Sequence, residues 1–149
     1  MNSNAHSVPI PQGNYAAASR YGDFIFTSGM TPRENGKLLF FGKVQTLEPL
    51  ENYKAPVLLA VSNALKAAGN LLEEQEQLAQ IVSLTVFIAC DADFQAHSGL
   101  ADYASEYLYQ ELNHRGIGSR AAIGVVSLPS RAPVEVQLIA AVCAAPPSV

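Results

Sequence analysis

Apolar and polar residues alternate near the start of the chain and predict a pair of short strands. These strands cover residues 16–20 and 24–28, and Tyr21-Gly22-Asp23 forms the turn of a hairpin between them. Residues 1–14 are polar, contain two prolines and predict a loose N-terminal arm. The long connection after the hairpin contains the tight-turn pair Asn35-Gly36 and predicts at most one more strand, at residues 38–41.

Apolar residues at helical spacing predict two amphipathic helices. The first covers residues 50–68 and ends at a Gly69 C-cap. Pro56 interrupts its pattern, so this helix either begins near Pro56 or is kinked there. The second helix covers residues 100–112. Their apolar stripes are Leu50, Tyr53, Val57, Val61, Leu65 and Ala68 in the first helix, and Leu100, Tyr103, Ala104, Tyr107 and Leu108 in the second.

Three further apolar runs predict strands in the second half of the chain. Residues 80–90 are rich in β-branched side chains and predict a central strand, followed after the second helix by strands at 120–126 and 134–143. The order β-β-(β)-α-β-α-β-β predicts an α+β fold in which both helices cover one face of a single mixed sheet. The length of 149 residues predicts one domain, 1–149, and the uncovered sheet face favours association between copies.

The composition indicates which partners the protein could bind and in which cellular compartment we expect it. Hydrophobic residues make up 49% of the chain and charged residues 15%, a balance that also favours an oligomer. The net charge is −4 and the basic residues are scattered singly, which disfavours nucleic acid as a partner. No apolar run approaches the roughly 20 residues of a membrane span, and no signal-peptide pattern is found, so we expect a cytoplasmic protein. Cys90 and Cys143 lie outside any CxxC pair and are predicted to be buried reduced thiols.

The familiar motifs of metal, phosphate and nucleophile sites are not found in the sequence. His6, His97 and His114 share no ligand spacing with each other or with the cysteines, which disfavours zinc. The chain has no phosphate-binding glycine loop and no GxSxG elbow. Ser28 is a candidate nucleophile, but local sequence places no histidine to activate it. The enzyme option that remains is a site without metal or cofactor.

Two charged residues interrupt the last two apolar runs. Arg120 follows a flexible segment, and its planar guanidinium either holds a carboxylate by two hydrogen bonds or forms a structural salt bridge. Glu135 alternates with Val134 and Val136, so it is either a solvent-facing strand residue or a catalytic base. Arg131 lies between two prolines and is predicted to be a solvent-facing turn residue.

The distance between Arg120 and Glu135 depends on how their strands pair. If the strands form a hairpin with its turn near Ser130, Glu135 lies opposite Val125 and Arg120 opposite Ala140. The two charges are then about 16 Å apart along the hairpin. One small ligand cannot contact both within a single chain, so a site that uses both residues must lie between two subunits.

Several segments spread over nearly the whole chain follow the pattern of one known family. They are Gly13-Asn14-Tyr15, Phe24-Ile25-Phe26-Thr27-Ser28-Gly29 with Pro32, Leu84-Thr85-Val86-Phe87, Ser119-Arg120, Leu128-Pro129 and Val134-Glu135-Val136. The interval of 15 residues from Arg120 to Glu135 also fits this pattern. In these features the chain resembles the Rid proteins, also called the YjgF/YER057c/UK114 or "endoribonuclease L-PSP" family.

The resemblance implies a chorismate-mutase-like fold, a homotrimer and a cleft at each subunit interface. It implies that Arg120 holds the carboxylate of a small 2-imino or 2-enamino acid, the partner metabolite. Glu135 would position or activate the water that hydrolyses this substrate to a 2-keto acid and ammonia, a reaction that needs no cofactor. Tyr15 and Ser28 would line the same cleft, and Ala122 would contact the substrate through its backbone.

The chain also departs from the family pattern. Ala122 stands where active members usually have cysteine, Met30 replaces a glutamine, and Gln137 replaces an acidic residue. The segment around the second helix is longer, and His97 or Ser98 is expected at the cleft rim. These departures indicate a divergent branch of the family.

Three functions are considered. The leading hypothesis is an imine or enamine deaminase, and the alternative is a non-catalytic protein that binds or senses small carboxylates. The third is an endoribonuclease or translation inhibitor, which the acidic net charge disfavours.

Overall fold

A five-stranded sheet with two helices on one face forms the body of the protein in the computed structural model, which describes residues 8–148. The strands of this sheet and the two helices are β1 (Ala18–Tyr21), β2 (Phe24–Thr27), α1 (Lys54–Gly69), β5 (Glu76–Ala89), α2 (His97–Leu112), β6 (Ser119–Val125) and β7 (Val134–Ala144). The strand order is β1-β2-β7-β5-β6, with β5 and β6 parallel and the other neighbours antiparallel. The α+β fold with one mixed sheet is therefore confirmed.

The predicted pairing of the last two strands is wrong. The long strand β5 lies between β6 and β7, parallel to the first and antiparallel to the second. Arg120 lies opposite Leu84 of β5, and Glu135 lies opposite Phe87. An apolar pattern identifies strands but not their neighbours, and the segment between β6 and β7 is long enough to pass the end of one strand. Within that segment Arg131 is exposed, which confirms it as a turn residue.

The long connection after β2 forms a separate two-stranded ribbon. Its strands are β3 (Arg33–Glu34) and β4 (Lys37–Leu38), so the extra strand predicted at 38–41 does not join the main sheet. The turn between them is Asn35-Gly36, and both residues have a positive φ, as a tight hairpin turn requires. The buried amide of Asn63 in α1 donates hydrogen bonds to the backbone oxygens of Thr31 and Arg33, which fixes the ribbon against the helix.

The two helices begin at different places from those the apolar stripes predict. A 3₁₀ turn at Leu50–Tyr53 precedes α1, and Pro56 lies in the first turn of that helix, where its missing N–H has no helical acceptor. Of the two alternatives, the helix therefore begins near Pro56. The second helix begins at His97 rather than at residue 100, so His97 and Ser98 belong to its first turn.

The hydrophobic core lies between the helices and one face of the sheet. Residues of β7 alternate, with Val134, Val136 and Leu138 buried on this face while Glu135 and Gln137 lie on the other. The predicted helical stripes contribute most of the opposite wall of the core. Residues 8–14, the part of the predicted arm that the structure describes, form no helix or strand. None of the helices between residues 8 and 148 is long and apolar enough to span a bilayer.

No element among residues 8–148 covers the second face of the sheet. Large apolar side chains are exposed there, including Phe24, Phe26 and Ile123. Cys143 is also exposed, and Cys90 is only partly buried, so the prediction of two buried thiols is wrong. Both are free cysteines. Cys143 is exposed because it lies on the uncovered face of the sheet.

An ion pair joins the first strand to the start of the long central strand. Arg20 donates two hydrogen bonds to the carboxylate of Glu76, at 2.6 and 2.8 Å. These bonds and a further one from the backbone N–H of Glu73 lower the pKa of Glu76 to about 2. The pair is far along the sheet from the residues that the sequence selects as functional, and it stabilises the ends of β1 and β5.

Candidate active site

A cleft opens where the edge strand β6 passes the first turns of α2. Arg120 lies on the helix-covered face of the sheet because its neighbour in register, Leu84, is part of the core. Ala122 and Gly124 follow on the same face of β6. We call this surface the Arg120 cleft, and it is lined by Gln95, His97, Ser98, Arg120, Ala122, Ile123 and Gly124.

The guanidinium of Arg120 is held by the second helix. Its Nη1 donates to Oδ1 of Asp102 at 2.8 Å and to Oγ of Ser105 at 2.9 Å. Its Nη2 donates to the backbone oxygen and Oγ of Ser98, at 3.2 and 2.8 Å. The structural salt bridge, one of the two interpretations of Arg120, is therefore present. Among the described residues, only the Nε–H of this guanidinium has no acceptor.

Two glycines allow the cleft to form. A Cβ on Gly118 would lie 2.0 Å from the backbone oxygen of Ile81, so only glycine lets the chain enter β6 this close to β5. A Cβ on Gly124 would lie 2.5 Å from Nε2 of His97, so the missing side chain makes room for the imidazole. His97 also contacts Phe94 edge-on, with ring centroids 5.0 Å apart. The expected rim positions of His97 and Ser98 are thus where the structure places them.

The thiol of Cys90 lies behind the imidazole. Its Sγ is 3.8 Å from Nε2 of His97. Burial, and secondarily the nearby carboxylate of Asp91, raise the pKa of this thiol. Cys90 is therefore held in its protonated form at neutral pH, which is unfavourable for a nucleophile.

Glu135 lies on the open face of the sheet, at the end of β2. Its side chain packs on Gly29, where an added Cβ would lie only 2.6 Å from the carboxyl carbon Cδ. Burial raises the pKa of Glu135 above its ordinary value of 4.5. Its carboxylate is partly desolvated because it is partly buried. No described residue donates a hydrogen bond to it, so it is free to accept a proton from a bound molecule.

Tyr15 and Ser28 lie at the same end of β2. Tyr15 is half exposed and lines a small recess of about 70 Å³ together with Gly29 and Met30. The hydroxyl of Ser28 donates to the backbone oxygen of Ala16 at 2.7 Å, and no described histidine contacts it, so the structure gives no support to Ser28 as a nucleophile. We call Tyr15, Ser28, Gly29 and Glu135 the Glu135 cluster.

The Arg120 cleft and the Glu135 cluster are separate within one chain. Their positions on β5 are three residues apart, and their strands are separated by β5, which places the two Cα atoms about 14 Å apart. An odd offset also directs the two side chains to opposite faces of the sheet. The conclusion that one chain cannot place both residues on one small ligand therefore holds, although the pairing from which it was predicted is wrong.

From the sequence, Ser98 was selected only as a rim residue, and Asp102 and Ser105, which hold Arg120 together with it, were missed. Ser98, Asp102 and Ser105 follow one another at intervals of four and three residues, which places them on one face of the helix. This polar stripe, opposite the apolar one, is a signal in the sequence that could have identified them. Without the strand order, however, nothing indicated which strand the stripe would face.

Comparison with known proteins identifies the family. The family model described as Endoribonuclease L-PSP matches residues 5–142. The chain belongs to the endoribonuclease L-PSP family. No curated protein matches this L-PSP domain.

Solved structures share the fold over most of its length. A protein of unknown function from Agrobacterium tumefaciens is 27% identical, with a TM-score of 0.78, over 87% of this chain and 82% of the other. A Shewanella oneidensis protein whose name proposes an endoribonuclease is 26% identical, with a TM-score of 0.82, over 91% and 89%. The YjgF gene product of Escherichia coli is 23% identical, with a TM-score of 0.62, over 90% and 92%. This L-PSP domain therefore has the chorismate-mutase-like fold of the YjgF proteins.

Proposed function

We propose that this L-PSP family protein hydrolyses small imines or enamines to a carbonyl compound and ammonia, in clefts between the subunits of a homotrimer. Each site would combine the Arg120 cleft of one subunit with the Glu135 cluster of the next. The observation on which this depends most is the state of Glu135. Its carboxylate is partly buried, has a raised pKa and has no hydrogen-bond partner among the described residues. A carboxylate in this state can act as a general base when a ligand binds next to it.

The open face of the sheet supports the assembly part of the proposal. Phe24 and Phe26 are 46% and 42% exposed on this face, and Ile123 is 41% exposed. Packing a second copy on these side chains removes apolar surface from water, which stabilises the assembly by about 25 cal/mol for each Å² of apolar surface buried. Glu135 lies on the same face, so a neighbour packed there would enclose its carboxylate within the interface.

The reaction suits the residues available. A protonated imine is electrophilic, so water can add to its carbon without a covalent enzyme intermediate. Glu135 would take a proton from the attacking water as the C–O bond forms. Glu135 then returns this proton to the amino nitrogen of the carbinolamine, and ammonia leaves as the C–N bond breaks, the hydroxyl loses its proton and the carbonyl forms. Holding the water and the substrate in place supplies much of the acceleration by proximity.

Arg120 would position the substrate in two ways. Its Nε–H is open to an acceptor on the substrate, and its bonds to Ser98 and Asp102 fix the first turns of α2 that form the cleft wall. The 2-imino and 2-enamino acids that the resemblance implies are one class of substrate, and imines without a carboxylate are another.

The other two hypotheses have less support. Met30 was one reason to consider a non-catalytic binding protein, but its backbone pairs with Val136 and little of its side chain is exposed in the recess that it lines. Ribonuclease activity is proposed in the name of the Shewanella oneidensis relative. Among the described residues the Arg120 cleft contains one histidine, His97, and its arginine is paired with an aspartate, which is a poor arrangement for binding phosphates.

The proposal is tested by carbonyl release from two imines made in the assay. One is 2-aminoacrylate, formed by a dehydratase, and the other is the imine that an amine oxidase makes from 2-methylpropylamine. We expect the wild-type protein to accelerate hydrolysis of at least one of them. We expect Arg120→Ala to lose at least about tenfold of that acceleration because the cleft loses its anchor and a substrate contact.

Arg131→Ala is the matched control, since Arg131 is an exposed arginine in the segment between β6 and β7. It should retain wild-type rates. If wild-type protein accelerates neither hydrolysis, the proposed reaction is refuted. If Arg120→Ala is as active as Arg131→Ala, the reaction stands and the role of Arg120 does not.

A further inference from the structure

Arg120 faces a carboxylate of its own chain, and this has a consequence for the substrate. Asp102 supplies a formal charge of −1 at 2.8 Å from Nη1, so the positive charge of Arg120 is already balanced. The side chain of Arg120 is 21% exposed, whereas that of Asp102 is 69% exposed. Asp102 does not line the Arg120 cleft, but its carboxylate lies next to the guanidinium and is the more exposed partner of the pair.

A bidentate grip on a substrate carboxylate conflicts with these contacts. Such a grip needs two N–H groups of one guanidinium edge, and every edge includes at least one terminal nitrogen. Each terminal nitrogen already has two acceptors on α2, in Ser98, Asp102 and Ser105. A carboxylate that binds Arg120 must displace these acceptors or lie beside the carboxylate of Asp102, and adjacent like charges oppose binding.

A substrate without a carboxylate meets the opposite situation. The protonated imine of a simple amine carries a net charge of +1, while a protonated 2-imino acid is a zwitterion with no net charge. Asp102 accepts from Arg120 through Oδ1, and no described residue donates to its Oδ2. That oxygen is therefore free to accept an N–H from a cationic imine that lies beside Arg120.

We infer that Asp102 determines the substrate class of this site: it neutralises Arg120 and makes the cleft prefer imines without a carboxylate over 2-imino acids. The inference rests on the proposed function, because it concerns which imine that site accepts. It also explains how the arginine of the family pattern is kept in a chain whose second helix departs from that pattern. Arg120 here positions α2 and presents its Nε–H, while Asp102 selects by charge.

The test is Asp102→Asn, which retains an Oδ1 acceptor for Arg120 and removes only the charge. Binding of pyruvate and of pyruvamide, which has the same shape without the carboxylate, is measured by calorimetry. We expect Asp102→Asn to lower the Kd for pyruvate about tenfold relative to wild type and to leave the Kd for pyruvamide unchanged. Glu106→Gln is the control, because Glu106 is an exposed acid one turn along the same helix, and it should change neither Kd.

The same variants are then compared in the two hydrolysis assays. Asp102→Asn should shift the ratio of kcat/KM for 2-aminoacrylate to that for the 2-methylpropylamine imine about tenfold towards 2-aminoacrylate. An unchanged Kd for pyruvate and an unchanged ratio would overturn the inference and leave the proposed hydrolysis standing. If neither imine is hydrolysed by any variant, the proposed function fails, and the pyruvate and pyruvamide affinities still decide the charge effect of Asp102.

Discussion

Replacing Glu135 by glutamine is expected to lower kcat for imine hydrolysis by about 10²–10⁴-fold. Glutamine has the same shape and still packs on Gly29, but it cannot accept the proton of the attacking water. The measurement is the release of carbonyl product at saturating substrate, with the fold checked by circular dichroism. Glu74→Gln, at an exposed acid between α1 and β5, serves as the control and should retain activity. Equal activity of the two variants would remove Glu135 from the mechanism.

The same substitution should change the pH dependence in a defined direction. The base must be deprotonated, so wild-type kcat should rise with pH through a pKa above the ordinary 4.5 of a glutamate, because burial raises it. Glu135→Gln should lose this rise. Since the folded state binds the proton more tightly than the unfolded state, ionised Glu135 destabilises the fold as pH rises above 4.5. The variant should therefore be at least as stable as wild type at pH 7.

Gly118→Ala is expected to cause a large loss of stability through a single added methyl group. The added Cβ would lie 2.0 Å from the backbone oxygen of Ile81 and 2.8 Å from that of Val82. Backbone atoms in the central strand cannot give way, so the start of β6 must move away from β5. We expect a loss of about 3 kcal/mol, and with it a fall in Tm of roughly 6–12 °C. The displaced strand would also separate Arg120 from α2.

Gly69→Ala provides the matched glycine control. Gly69 is the last residue of α1, and a Cβ built there has no atom within 4 Å. Alanine should leave Tm unchanged or raise it, since it lowers the conformational entropy of the unfolded chain. Thermal unfolding of the two variants decides the matter. If Gly118→Ala has the same Tm as Gly69→Ala, β6 does not approach β5 as closely as described.

The elements of the fold could be predicted where one local rule determines them. The hairpin turn at Gly22, the alternation along β7 and the helical stripes each depend on a few neighbouring residues, and the structure confirms them. Strand order could not be predicted in this way. β5 is apolar and has partners on both sides, so nothing in its sequence excludes or requires a direct contact between β6 and β7.

The sequence selected the residues from which the candidate site is built, but it did not predict their partners. Arg120 and Glu135 were selected because a charge within an apolar strand costs free energy unless it is paired or solvated. Asp102 was not selected, because an acidic residue on the polar side of a helix is ordinary until the strand beneath it is known. The pairing of Arg120 with Asp102 is a tertiary contact 18 residues apart in sequence, and the inferred substrate preference rests on it.

The most direct test of the shared site is complementation between two damaged chains. Arg120→Ala and Glu135→Gln are each expected to show the reduced rates given above when alone, because every site in the proposed homotrimer of either variant lacks one residue. Refolded together in equal amounts, with mixed oligomers checked by native mass spectrometry, they should regain about a quarter of the wild-type rate, since about a quarter of interfaces then combine two intact halves. A mixture no more active than the separate variants would show that the two residues do not meet between subunits.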